Sequence, residues 1–389
     1  MKIVFIGQKG LPSHSGGIEK HVEDLATELV ARGHDVFAYT RPNYTDPART
    51  TYNGVNLISL PSIPTKNLDA ISHTFLAVLD LIRRPADIVH FHGIGPCSLI
   101  LLAKLIKPSA KIVATFHCQD YYLQKWSLFA RLYLRFGEWV ACTIADKTIT
   151  VSRSLTEYVA ETYSHPSTYI PSGVHAPAIA EASKISVWGL SKGSYILAVS
   201  RLIRDKGLHY LVEAFKQATT DKKLVIVGDG AYTDEYVVEL KKLAADDPRI
   251  IFTGRQQGEI LNELFSNAFL FAQPSESEGL SIALLEAMSY GLPILASDIP
   301  GNREALGSTG ILFASRNSFD AALQLSRMID MDDEARSQLG SAARSRVTTE
   351  YGWQSIVTAT EELYAELASA TATSRLYRLA FASRFVTFL

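Results

Sequence analysis

Cysteine is scarce: Cys97, Cys118 and Cys142 are the only three among 389 residues. An odd number at irregular spacing excludes a disulfide framework or a zinc ribbon, and fits reduced, buried thiols of a cytosolic chain. Excess charge of either sign is also missing. Lys and Arg number 38 against 40 Asp and Glu, a net charge of −2, so there is no global basic field and no nucleic acid partner is expected. Long apolar runs are absent as well. The longest aliphatic stretch, Ser98 to Ile106, is broken by Lys104 and is too short to span a bilayer. The chain opens directly on a strand pattern, Met1 to Gly7, with no room for a leader peptide. A cytoplasmic protein is the expectation.

What is present is alternation. The length suits two to three domains, and strand and helix patterns alternate as parallel sheets require. In the first half, Ile18, Val22, Leu25 and Leu29 make one helical stripe that Gly33 stops, and buried-strand patterns follow at 35–40, 87–92, 111–116 and 147–151. Between Ile170 and Gly193 the regularity lapses into Pro, Gly, Ala and Ser, the best linker candidate. A second series has strands near 195–200, 223–228, 250–253, 268–272 and 293–297. The α/β fold expected is two doubly wound domains facing across a cleft. Their bounds are 1–175 and 190–350, with a C-terminal helix and tail at 351–389.

Ligands of open parallel sheets bind beyond the carboxyl ends of the strands. Arg201 and Lys206-Gly207 stand just after one such strand, and an Arg fork with a Lys point charge suits a diphosphate. Glu278 and Glu286 lie eight positions apart, across a glycine turn and into a short apolar helix capped by Ser281 and ended by Gly291-Leu292-Pro293. Carboxylates suit vicinal hydroxyls, and the helix-start amides of Gly279, Leu280 and Ser281 suit a phosphate or sugar oxygen. Glu276 reads as solvent-facing. Gly254-Arg255 ends the strand at 250–253, where a base can rest against backbone amides. In the first domain Gly16-Gly17 closes a long loop at a helix start. It allows close approach to an anion or sugar, yet fits a plain flexible turn equally well, and it is neither the dinucleotide fingerprint nor a Walker loop. His90, His92 and His117 invite a zinc proposal. No acidic or cysteine ligand completes it, so no metal is expected. Asp330-Met331-Asp332 matches a metal-binding Asp-x-Asp only as a string.

Taken together, these residues resemble glycosyltransferase family 4, the retaining GT-B enzymes. The resemblance covers nearly the whole chain. It runs through Gly16-Gly17-Ile18-Glu19, Arg32-Gly33-His34-Asp35-Val36, Val151-Ser152, Arg201 with Lys206-Gly207, Glu278 with Glu286, and Gly291-Leu292-Pro293-Ile294. Thr115-Phe116-His117 with Gln124-Lys125-Trp126 resembles a bacterial subgroup linked to exopolysaccharide and rhamnose-containing glycans. The resemblance implies that Arg201 and Lys206 hold the diphosphate of a nucleotide-sugar donor, Glu286 its ribose and Glu278 its sugar. It places His117 at the sugar near the reacting centre, and Gly16 and Gly17 near the phosphates or acceptor. It implies catalysis with no cofactor and no metal, the nucleotide-diphosphate sugar being a co-substrate, and a glycan or lipid-linked acceptor. At Ser172 and His175 the chain departs from the family's usual Asn and acidic residue.

Two other functions share these features. One is a GT-B nucleotide-sugar epimerase, and the other is a non-catalytic subunit that binds glycan or nucleotide. The tail 375–389 mixes arginines with aromatics. Peripheral membrane association at the inner face of the plasma membrane is one expectation for it, and docking on its own domain or a partner is the other.

Overall fold

A computed structural model describes residues 1–122, 126–230 and 233–386, with side chains in the last helix as far as Ser369. The first sheet has eight strands in the order β3-β4-β2-β1-β5-β6-β7-β8. They are β1 (Lys2–Ile6), β2 (Asp35–Thr40), β3 (Thr51–Tyr52), β4 (Val55–Ser59), β5 (Ile88–His92), β6 (Lys111–Phe116), β7 (Lys147–Thr150) and β8 (Thr168–Tyr169). All neighbours pair in parallel except β3 with β4. The connecting helices are α1 (Gly17–Ala31), α2 (Asp69–Asp80), α3 (Ile94–Cys97), α4 (Ile100–Ile106), α5 (Leu128–Thr143) and α6 (Arg153–Tyr163). The short strands at 51–59 and 168–169 have no counterpart in the sequence expectation, because two to five residues give too little periodicity to read.

The second sheet is wholly parallel, in the order β11-β10-β9-β12-β13-β14. Its strands are β9 (Tyr195–Val199), β10 (Lys223–Val227), β11 (Ile250–Gly254), β12 (Leu270–Gln273), β13 (Ile294–Ser297) and β14 (Ile311–Phe313). Around it pack α7 (Leu208–Gln217), α8 (Asp234–Ala244), α9 (Gly258–Asn267), α10 (Ile282–Ser289), α11 (Pro300–Leu306), α12 (Ser318–Ile329) and α13 (Asp333–Glu350). Strands such as β5 and β12 are buried along their whole length. Helices on both faces explain why their sequences read as continuous runs instead of alternations.

The last helix, α14 (Trp353–Val386), returns to the first domain. Val174 donates to the Tyr351 carbonyl at 2.9 Å just before it. Arg32 and His34 both reach Glu361, at 3.0 and 2.8 Å, and the Tyr364 hydroxyl meets His90 Nδ1. Trp353, Ile356, Val357, Leu363, Tyr364 and Leu367 join the core of α1 and the first sheet. Burying six such side chains stabilises this clasp on the order of 10 kcal/mol before entropy. Among the described residues, no helix is long and apolar enough to cross a membrane.

Candidate active site

The carboxyl end of the second sheet is built by close backbone approach. Gly207 adopts φ +65, and a Cβ there would lie 2.0 Å from the Pro274 carbonyl oxygen, so only glycine lets the β9–α7 turn rest on the end of β12. That approach carries Lys206 to Glu278, with Nζ 2.5 Å from Oε1. Ser275 Oγ donates to the same oxygen at 2.8 Å, and both charged side chains are largely buried, at 17% and 12% exposure. Arg201 lies one strand-end away and half-buried, and its guanidinium has no hydrogen-bond or ion-pair partner among the described residues. The neighbouring turn is equally tight. At Gly228 a Cβ would sit 1.8 Å from the Ser200 carbonyl oxygen, while its N–H donates to the Gly254 carbonyl at 3.0 Å. Open space stands over Gly254, and Arg255 is exposed beside it.

Helix α10 begins as its sequence dictates. Ser281 Oγ accepts from Leu284 N at 3.3 Å and donates to Gln273 Oε1 at 2.9 Å, and Gly291 at φ +75 follows its end. Gly279 and Leu280 are buried ahead of the cap. A Cβ on Gly279 would fall 1.8 Å from the carbonyl oxygen of His117, so the loop before α10 in one domain lies directly on the end of β6 in the other. Glu286 does not join Lys206. It faces α1 of the first domain, where Lys20 is its nearest cation in electrostatic effect, and burial raises its carboxyl to about 7, against Lys20 and with Asp24. Burial works against the charge of Lys20, yet its bond to Asp24 at 2.7 Å holds the ammonium above its ordinary range. Asp24 in turn lies 3.6 Å from His175 Nε2. His175, one of the positions where the chain departs from the family pattern, therefore borders this interdomain group of charges.

The first domain's glycines sit opposite. Gly17 faces Ile282 of α10, with 3.7 Å from a would-be Cβ to Cδ1. Gly16, at φ +104, has Glu19 folded over it, and Glu19 accepts from Lys9 N at 3.2 Å. Gln257 of the second domain donates to the His14 carbonyl. Farther round the interface, Glu304 accepts from the N–H groups of Arg153 and Ser154 at the start of α6, at 2.7 and 3.3 Å.

Behind the glycine loop lie four imidazoles. His90 is spent on the core, bonded to the Tyr364 hydroxyl and to Thr115 Oγ1. His92 Nδ1 meets His117 Nε2 at 3.0 Å. The third member is His21 of α1, not His90: nitrogens of His21, His92 and His117 lie within 4.8 Å of one another. Three imidazoles are the ligand type that would suit a borderline-soft cation. Burial drives His21 down to about 4 and holds His92 and His117 well below their ordinary range. All three are therefore neutral near pH 7. His21 Nδ1 and His92 Nε2 are buried without a hydrogen-bond partner among the described residues.

Several expectations need adjustment. Glu276 is not solvent-facing: its side chain is 5% exposed and paired with Arg316 at 2.8 Å, because the loop after β12 turns it under α7. Asp330-Met331-Asp332 is a helix start, where Asp332 caps α13 by accepting from Ala335 N at 2.7 Å. Of Thr115-Phe116-His117, the first two serve the core, while Gln124 and Lys125 lie outside the described residues, as do the side chains of the tail 375–389. Lys20, His21 and Asp24 went unread in the sequence. Their signal was available: three polar residues in the first two turns behind Gly16-Gly17, beside an apolar stripe.

Comparisons with known proteins agree with this layout. Residues 15–176 match the model described as Glycosyltransferase Family 4, and residues 183–346 match Glycosyl transferases group 1. The glycogen synthase of Mycobacterium tuberculosis (strain H37Rv) is 27% identical, over 94% of each chain. A GDP-mannose-dependent monoacylated alpha-(1-6)-phosphatidylinositol monomannoside mannosyltransferase of Corynebacterium glutamicum is 26% identical, over 88% of this chain and 92% of its own. Among solved structures, sucrose-phosphate synthase from Thermosynechococcus elongatus superposes with a TM-score of 0.79 at 22% identity, over 95% of this chain and 99% of that one. HepE of Anabaena, in complex with UDP and glucose, gives 0.77 at 19% identity, over 94% and 100%. At these identities the two structures speak to the fold, which is GT-B.

Proposed function

Since the chain belongs to glycosyltransferase family 4, we propose that it is a retaining, metal-independent enzyme. It moves a sugar from a nucleoside-diphosphate donor to a glycan or lipid-linked acceptor in cell-surface polysaccharide synthesis. The observation that carries this reading is the Lys206–Glu278 pair at 2.5 Å, set beside a donor loop whose Gly279 rests on the His117 carbonyl. Cation, carboxylate and helix-start amides thus meet where the two domains touch.

In the proposed reaction the donor diphosphate enters over Gly207 and draws Lys206 and the unpaired Arg201 onto its oxygens. Glu278, released from part of its ion pair, accepts from hydroxyls of the sugar, and Glu286 accepts from the ribose. The glycosidic bond to the diphosphate breaks as the acceptor oxygen attacks from the same face, and the acceptor proton passes to the departing phosphate oxygen. Stabilising the charge that grows there is the main contribution of the two cations. Glu278 Oε1 already accepts from Lys206 and Ser275. With Glu278 committed to sugar hydroxyls, no carboxylate is left as an obvious nucleophile, which favours this front-face route over a covalent glycosyl-enzyme. The neutral imidazole of His117 suits a hydrogen bond to the sugar, not proton donation.

Screening UDP-, GDP- and dTDP-sugars by thermal shift identifies the donor. Transfer to an acceptor glycan, with the anomeric configuration read by NMR, then tests the reaction. An inverted product would overturn retention, and a free epimerised sugar nucleotide formed without acceptor would replace transfer by epimerisation.

A further inference from the structure

Helices α2, α4 and α5 cover one face of the first sheet, where Val78, Ala103 and Val140 pack on Val4, Val89 and Ile112. Their outward positions are apolar to an unusual degree for a solvated layer. On α5, Leu128, Phe129, Leu132, Phe136 and Trp139 form one outward stripe, with Phe129 at 82% exposure. Leu105 on α4 is 79% exposed, and Ile82 just past α2 is 65% exposed.

The charges on this layer are one-sided. Only three acids occur on the three helices, and none faces out: Asp69 is covered by Arg41, Asp80 by Arg84, and Glu138 is 1% exposed beneath three tyrosine hydroxyls. Arg83, Arg131 and Arg135 do face out among the apolar side chains. An apolar stripe rimmed by unopposed arginines matches a surface that offers both acyl chains and phosphates. A second protein copy would need acids to meet those arginines, and the three helices of this face carry no exposed one.

We propose that the α2–α4–α5 layer docks the protein on an anionic lipid bilayer. Strand β6 ends at the cleft with His117 next in the chain, and α5 follows after a short loop, so this layer borders the mouth of the cleft. Docking would present that mouth to an acceptor held in the membrane. This consequence rests on the transferase reading above, whereas the docking itself does not.

The test is co-sedimentation of the full-length chain with vesicles of phosphatidylcholine, with and without about 30% phosphatidylglycerol. Strong binding only to the anionic vesicles is expected, with a blue shift of tryptophan emission that Trp139→Phe diminishes. Leu132→Glu/Phe136→Glu should weaken vesicle binding at least about tenfold. Because both residues are exposed, folding and donor hydrolysis should persist. Arg83→Gln/Arg131→Gln keeps the apolar stripe and should weaken binding to anionic vesicles about tenfold. Undiminished sedimentation of the glutamate variant overturns the proposal, as does a wild-type dimer in light scattering that those glutamates dissolve. A wild-type chain that binds vesicles but turns over no donor sinks the transferase reading and leaves the docking intact.

Discussion

Replacing Glu286 by glutamine tests the donor site through a proton. Its carboxyl stands at about 7, raised by burial against Lys20 and with Asp24, so near pH 7 about half the molecules carry it protonated. In the proposed donor site, ribose hydroxyls donate most strongly to the charged form, and donor binding would therefore strip the proton. The apparent dissociation constant carries the factor 1 + 10^(pKa − pH): about 11-fold at pH 6, about twofold at pH 7, and close to one at pH 8. That span of about tenfold corresponds to about 1.4 kcal/mol. The donor diphosphate is a diester with no ionisation in this window, so the slope belongs to the protein. Isothermal titration calorimetry at pH 7, in two buffers of different ionisation enthalpy, should show about half a proton released per donor bound. Glu286→Gln should bind about tenfold more weakly at pH 8, with a flat pH profile and no proton release. Asp24→Asn, which removes a neighbouring negative charge, should move the wild-type midpoint to lower pH. A Glu286→Gln protein that kept the tenfold slope would refute the assignment.

Lys206→Ala should slow transfer about 30- to 1000-fold, or about 2–4 kcal/mol of barrier; an unchanged kcat would remove Lys206 from leaving-group stabilisation. Gly279→Ala puts a methyl 1.8 Å from the His117 carbonyl oxygen and should hold the domains apart. The expected cost is about 100-fold in kcat/KM with each domain still folded, and full activity would show that the two loops need not meet. Stability should also fall as pH drops. His21 and His73 are lowered to about 4, His21 by burial and His73 by burial and Arg41, so between about 4 and 6.5 the unfolded chain binds more protons, and each imidazole costs about 1.4 kcal/mol per pH unit. Glu286 acts with the opposite sign: its raised carboxyl adds stability that is lost as pH rises toward 7. The histidines outnumber it, so urea denaturation at pH 5.5 should show a lower midpoint than at pH 7, and equal midpoints would refute the count.

The local chemistry of the site is legible in the order of the amino acids. Glycine after a strand, Ser281 before an apolar octet and Gly291 beyond it each act within a few residues, and turn and cap chemistry is written in such short windows. Arg201, Lys206, Glu278 and Glu286 can be proposed from the same short windows together with the family resemblance. Periodicity reveals the principal strands of the two sheets, but not β3, β4, β8 or β14, which are too short or too irregular to repeat.

Tertiary structure decided which of those groups share a partner. Lys206 and Glu278 are 72 positions apart and in contact, whereas Glu286, eight residues beyond Glu278, turns to Lys20 and Asp24 in the other domain. His90 and His92 look alike on one strand, yet Tyr364, 274 positions from His90, claims only the first. The amino-acid order fixes periodicity, caps and turns because these depend on neighbours along the backbone. The state of a carboxyl or an imidazole depends on which distant charge and how much water reach it, and only the folded packing of both domains determines that.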